Sequence, residues 1–248
     1  MNFNEILRAR KEDYTPFAGS VKYDRQPKSL LSAIADAKRD GRNPVIAEIK
    51  PASPTTGRLR DVNPADMADC YVQNGACAIS VLTEPRYFGG SLEHMKSAVG
   101  RLPVLRKDFL FDPSQIREAY FYGADSVLLI SSFFNADTLA CMIGEARRLG
   151  MEPLVEVHDA KDVERSSSAG AKLYAINNRD KDSLKVDLGR TERLASRIDG
   201  TRVSASGIET PEDLKRMLRH CDAALIGSAL MRAEDVGATL RSFVYGGA

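Results

Sequence analysis

Tryptophan is missing from this 248-residue chain and histidine is scarce, with three. His94, His158 and His220 lie far apart without ligand spacing, so no metal site is expected. Each is read as following or lying within a helical segment, with no chemical role. Cysteine pairs are lacking too: Cys70, Cys77, Cys141 and Cys221 form no Cys-x-x-Cys motif and fall in apolar-patterned segments. They are expected to be buried, reduced thiols of a cytoplasmic protein. Charge of one sign is also absent. The 35 Lys plus Arg against 34 Asp plus Glu leave +1, so no broad attraction to nucleic acid or an anionic membrane is expected. No apolar run approaches the ~18 residues that cross a bilayer, and Met1-Asn2-Phe3-Asn4-Glu5 lacks the features of a signal peptide. Neither Gly-x-Gly-x-x-Gly nor the P-loop pattern occurs, which removes the common nucleotide-binding fingerprints.

The composition that remains, 43% hydrophobic and 28% charged, suits one large globular domain or two small ones. Helices are expected around residues 5–11 and 29–39. Short strands rich in Val, Ile, Leu and Ala then start near Val45, Cys77, Pro103, Asp125, Pro153, Lys172, Arg202 and Asp222. Asn63-Pro64, Asp112-Pro113 and Thr210-Pro211 each offer a capping side chain followed by proline at the first helical position. Gly75, Gly123, Gly150 and Gly170 fall where helices should end. Each interval between strands leaves room for one crossover helix. Eight such units predict an α/β fold, a single (β/α)8 barrel over residues 1–248 with a helical extension over 1–43. A doubly wound open sheet is the alternative, but it would normally carry a glycine-rich loop after its first strand.

In such a barrel the active site lies at the carboxyl ends of the strands. Along the first strand Glu48 and Lys50 share a face with Ile46, because side chains alternate. Ions on an apolar face are costly unless they pair or serve chemistry. Lys107 ends the third strand, Glu156 lies within the fifth, and Asn177 and Arg179 follow the sixth. Lysines and carboxylates confined at one mouth perturb one another, as acid–base catalysis near neutral pH requires. Ser206-Gly207 and Gly227-Ser228, after the seventh and eighth strands, suit a phosphate held by backbone N–H groups. Residues 51–61 read as either a lid or a plain surface loop, and Phe88 and Phe109 as either walls of an aromatic pocket or ordinary packing.

Taken in order, EIKPASPTTG (48–57), LTEPRYFGGSL (82–92), LRKDFLFDPSQI (105–116), LVEVHD (154–159), INNRD (176–180), SGI (206–208) and LIGSALM (225–231) resemble the indole-3-glycerol phosphate synthase family. The resemblance runs along nearly the whole chain. It implies a cytoplasmic carboxy-lyase of tryptophan biosynthesis. Its substrate would be 1-(2-carboxyphenylamino)-1-deoxyribulose 5-phosphate, closed to indole-3-glycerol phosphate with loss of carbon dioxide and water. No cofactor, metal, nucleic acid or membrane is implied, and association with other tryptophan-pathway enzymes is left open.

By this resemblance Lys107 is the acid of ring closure, and Glu156 orients it or shuttles protons. Glu48 and Lys50 serve dehydration, with Lys50 also near the phosphate. Ser53, Asn177 and Arg179 hold the substrate's carboxylate and hydroxyls, while Ser206, Gly207, Gly227 and Ser228 hold its phosphate. Two positions depart from the family pattern. Ala205 stands where a glutamate is usual before Ser-Gly-Ile, and Lys181 where a leucine often follows Asn-Arg-Asp. The first removes a carboxylate, and the second puts one apolar wall in doubt. Two other readings stay open: a sister isomerase, which would need a cysteine at a strand's carboxyl end where Cys77 is not, and a non-catalytic phosphate-binding barrel.

Overall fold

In a computed structural model of the chain, describing residues 2–21 and 24–246, eight parallel strands close on themselves. They are β1 (Val45–Ile49), β4 (Ala78–Leu82), β5 (Val104–Lys107), β6 (Ser126–Ile130), β7 (Glu152–Val157), β8 (Leu173–Asn177), β9 (Thr201–Ala205) and β10 (Ala223–Ile226). Closure is made by β1, which pairs with β4 on one side and β10 on the other. Between β1 and β4 a small antiparallel ribbon forms from β2 (Ala52–Ser53) and β3 (Gly57–Arg58). Within the segment 51–61, residues 52–58 thus form a short hairpin. Two helices, α1 (Phe3–Asp13) and α2 (Leu30–Arg39), precede the barrel.

The crossovers follow the cap signals. Helix α3 (Pro64–Gln73) begins at Asn63, whose side chain accepts from the Ala65 N–H. After β4 come the short α4 (Pro85–Phe88) and α5 (Leu92–Ala98), then α6 (Pro113–Phe121) with a capping box between Asp112 and Gln115. The ring continues with α7 (Ala136–Arg148), α8 (Ala160–Ser168), α9 (Gly189–Ala195), α10 (Pro211–Leu218), α11 (Ser228–Arg232) and α12 (Val236–Tyr245).

Alternation along the strands divides the apolar residues in two. Ile46, Leu105, Leu128, Leu154, Leu173 and Leu225 fill the barrel's interior, together with Ile6, Leu30 and Ile34 from the first two helices. Val45, Ala47, Val81, Val127, Val155 and Ile226 face outward to the helices, in a larger cluster. Burial on both faces explains why the strands read as continuous apolar runs.

Two expectations need correction. Only Cys77 and Cys221 are buried, with burial pushing each thiol up to about 12; Cys70 is half-buried and Cys141 is exposed on α7. His158 does not belong to a helical segment: it directly follows β7 and is buried, because the strand's alternation carries it to the same face as Glu156.

Candidate active site

At the carboxyl-terminal mouth, β1 delivers Glu48 and Lys50, and β5 delivers Lys107. The Lys50 Nζ lies 3.1 Å from Glu48 Oε1, and the Lys107 Nζ lies 3.6 Å from Glu48 Oε2. Glu48 is therefore the carboxylate shared by both lysines. Burial works to raise its carboxyl, but Lys107 and Lys50 outweigh burial and hold it below the usual carboxylate range. Burial pulls the Lys50 ammonium below its ordinary value, and repulsion from Lys107 and Arg179 adds to this while Glu48 opposes. Lys50 also donates to Ser228 Oγ at 2.9 Å, which ties β1 to the loop after β10.

Glu156 sits apart from that trio. Its Oε1 accepts from Asn177 Nδ2 at 2.9 Å and lies 3.4 Å from His158 Nε2. The carboxylate within 4 Å of the Lys107 ammonium is Glu48. Asn177 Oδ1 in turn accepts from the Arg179 N–H at 3.0 Å, so one asparagine positions both a carboxylate and the following turn.

The loops after β9 and β10 show why small residues stand there. Ser206 and Gly207 both have positive φ, 69° and 82°, a conformation that costs a non-glycine residue of order 1 kcal/mol or more. At Gly227 a methyl group would collide with Glu48 Oε1. That glycine leaves room for the shared carboxylate as well as opening the loop.

These groups line one cavity at the barrel mouth, the usual place for a small-molecule substrate in this architecture. Glu48, Lys50, Lys107, Glu156, Asn177 and Arg179 all reach it, as do Ser53, Phe88, Ser206, Gly207, Gly227 and Ser228. Phe109 lines a smaller adjoining apolar cavity with Phe88, Leu128 and Ile130, and Lys107 and Glu156 border both spaces. The rings of Phe88 and Phe109 are 6.0 Å apart. Ala205 also lines the main cavity, with only backbone and a methyl group to offer.

Phe3 and Leu184 are lining residues absent from the sequence reading. Phe3, on α1, borders both cavities and packs edge-on against Phe109 and His158. Leu184 reaches the mouth from a left-handed backbone position, φ 58°. An apolar wall is therefore present although Lys181 occupies the expected leucine position.

A closed (β/α)8 barrel with lysines and carboxylates gathered at the carboxyl ends of its strands has the architecture of a barrel enzyme. The family model described as indole-3-glycerol phosphate synthase matches residues 4–243. The chain belongs to the indole-3-glycerol phosphate synthase family. The enzyme of that name from Carboxydothermus hydrogenoformans is 45% identical, covering 87% of this chain and 84% of the relative. That of Campylobacter jejuni subsp. jejuni is 40% identical, over 98% of this chain and all of the relative. Among solved structures, 3-hexulose-6-phosphate synthase from Salmonella typhimurium aligns with a TM-score of 0.65 at 15% identity, over 81% of this chain and 96% of that one. The tryptophan synthase alpha chain from Legionella pneumophila aligns with a TM-score of 0.62 at 14% identity, over 86% and 94%. These two likenesses establish the fold.

Proposed function

We propose that this mouth closes the indole ring of 1-(2-carboxyphenylamino)-1-deoxyribulose 5-phosphate, with Lys107 as the acid. The activity is indole-3-glycerol phosphate synthesis, a decarboxylating step of tryptophan biosynthesis. The observation that carries the assignment of roles is the sharing of Glu48 between Lys50 and Lys107 at a cavity bordered by aromatic rings.

In the first step the ring carbon bearing the carboxylate attacks the substrate's keto carbon. The keto oxygen gains charge as the bond forms, and Lys107 protonates it. Loss of carbon dioxide returns the bonding pair to the ring and restores aromaticity. In the second step the new hydroxyl leaves as water, which requires a proton donor on that oxygen and a base for the proton on the opposing side. Lys50 with Glu48 suits the donor side, and Glu156 the base. Phe88 and Phe109 hold the aromatic ring; Ser53, Asn177 and Arg179 hold the carboxylate and hydroxyls. Ser206, Gly207, Gly227 and Ser228 receive the phosphate, with Lys50 beside them. The described residues contain no helix long and apolar enough to cross a membrane, and a cytoplasmic location fits a pathway of small phosphorylated intermediates.

The direct test is to add the carboxyphenylamino substrate to the purified chain and follow the appearance of indole fluorescence. Turnover is expected despite Ala205. A glutamate restored at that position adds one charge across a partly wet mouth, worth roughly 1 kcal/mol, so Ala205→Glu should change kcat/KM by less than about tenfold. Its negative charge favours the Lys50 ammonium, so the alkaline limb of the pH–rate profile should move to higher pH. An inactive wild type rescued by Ala205→Glu would instead mark a decayed, non-catalytic barrel.

The phosphate loops give a second test. Gly207→Ala puts a side chain on a left-handed backbone remote from the reacting carbons. It should raise KM about five- to thirtyfold while kcat holds. Gly227→Ala should lower kcat as well, because its methyl group lands on Glu48. Inorganic phosphate should compete with substrate; noncompetitive inhibition would move the anion site elsewhere.

A further inference from the structure

His158 is the buried titratable group for which the roles above have no use. Its side chain is 3% exposed, and neither ring nitrogen completes a hydrogen bond. An unpartnered buried polar ring is costly, and such groups in a folded protein call for an explanation. The neighbours supply one. Nε2 lies 3.4 Å from Glu156 Oε1, and Nδ1 lies 3.6 Å from Asp162 Oδ2. The imidazole stands between two carboxylates, one lining the active-site cavity and the other at the start of α8.

The far carboxylate is anchored. Asp162 Oδ2 accepts from the His158 backbone N–H at 3.0 Å, and Oδ1 accepts from Arg165 at 2.6 Å. Burial works against its charge, but the hydrogen bonds from His158 and Arg165 outweigh burial and hold the carboxyl below the usual range. An ionised Asp162 favours the proton on Nδ1, which leaves the Nε2 lone pair facing Glu156 as an acceptor. From the amino-terminal side the Phe3 ring packs edge-on against the imidazole at 5.5 Å and blocks it from tilting into the cavity. Ser131 is bound into the same cluster through its hydrogen bonds with Asp162, Arg165 and Ser166.

We propose that His158 is a positioning residue for Glu156, an imidazole braced by Asp162 that fixes the direction in which the Glu156 carboxylate faces the substrate. Contacts of this kind are commonly long before substrate binds and tighten afterwards. A movement of a few tenths of an ångström closes the Nδ1–Asp162 separation to an ordinary hydrogen bond, and the Nε2–Glu156 separation likewise once the Glu156 carboxyl carries a proton to donate. When Glu156 takes the substrate's proton, it can donate that proton in a hydrogen bond to the Nε2 lone pair, so the proton is held within the pair. The inference rests on the assignment of Glu156 to proton transfer.

Four proteins test it: wild type, Glu156→Gln, His158→Phe and the double variant. His158→Phe keeps the ring and its packing on Phe3 but removes both nitrogens. It should lower kcat about 10- to 100-fold, the cost of leaving a buried carboxyl without its partner, and leave KM nearly unchanged. In the Glu156→Gln background the same change should have almost no further effect, since the group it positions is gone. If Glu156→Gln keeps wild-type kcat, the role given to Glu156 fails, and this inference with it. If Glu156→Gln is impaired and the two losses multiply, the role of Glu156 stands and His158 acts independently, which overturns the proposal alone. Should His158→Phe not fold, ¹⁵N NMR of the imidazole decides. With three histidines in the chain the ring is assignable. Its Nε2 resonance should move on Glu156→Gln, and an unmoved resonance overturns the proposal.

Discussion

Lys107→Met should lower kcat by about 10²- to 10⁴-fold and leave the fold intact. Methionine keeps the length and the apolar stem of lysine but cannot give a proton, and general acid catalysis is worth that factor. The side chain leaves β5 at the barrel mouth and is about one-fifth exposed, and methionine nearly matches its volume. Its loss therefore removes a charge opposite Glu48 without opening a void. Glu48 keeps Lys50 at 3.1 Å, so the buried carboxylate is not orphaned. Binding should suffer less than turnover, because the ammonium acts on an oxygen whose charge grows only in the transition state. Single-turnover measurements with saturating substrate separate the chemical step from release. A variant that retains more than about a tenth of the wild-type rate places the acid elsewhere, and Lys50 is then the other lysine at Glu48.

The residues that proved easy to read share one property: their roles depend on neighbours in sequence. The strand starts fall within a residue of expectation because apolar runs flanked by proline caps and positive-φ glycines are local signals. Asn63-Pro64 opens α3, and Gly75 at φ 86° closes it. Glu48, Lys50, Lys107, Glu156 and Asn177 were legible because strand alternation and barrel closure place them by rule. What could not be read depends on distant docking. Nothing around Phe3 reveals that α1 lies over the mouth, since the contacts holding it there join residues about a hundred positions apart, such as Arg10 and Asp108. Leu184 was missed because it reaches the cavity only through a left-handed residue in a loop. An isolated histidine such as His158 carries no pattern; its meaning comes from Asp162, in the first turn of the following helix, facing Glu156 across the ring. The exposure of Cys141 escaped for a related reason. Apolar neighbours on α7 gave no sign of which side of the helix it occupies.

Asp108→Asn should cost about 3–5 kcal/mol of stability, the usual result of removing one partner from a buried ionic cluster. Asp108 follows Lys107 and is 1% exposed. Its oxygens accept from Arg10 at 3.1 Å twice, from Arg106 at 3.0 Å and from Thr83 at 2.8 Å. Arg106 is itself fully buried, reaching Glu118 at 2.8 Å and the Gln115 carbonyl at 2.8 Å. An amide in place of the carboxylate leaves two desolvated guanidinium groups with one carboxylate between them. For a domain of this size the cost corresponds to a fall in Tm of about 6–20 °C. Burial works to raise the Asp108 carboxyl, but Arg106 and Arg10 outweigh burial and hold it below its ordinary value. A depressed carboxyl contributes stability that is present above its unfolded pKa, about 3.9, and is lost as pH falls through the folded value. The wild type should therefore lose Tm steadily as pH drops below about 4, and Asp108→Asn, already without the charge, should lose less over the same interval. Arg10 lies on α1 and Arg106 on the strand that carries Lys107, so the same cluster fastens the helix bearing Phe3 to that strand. The variant should accordingly show a raised KM even at temperatures where it is folded, because the wall formed by Phe3 is released. Thermal melts across pH 3–7 with parallel kinetics decide the matter. A Tm loss under about 3 °C with unchanged KM would mean that Arg10 and Arg106 find other partners and that α1 is held by its apolar face alone.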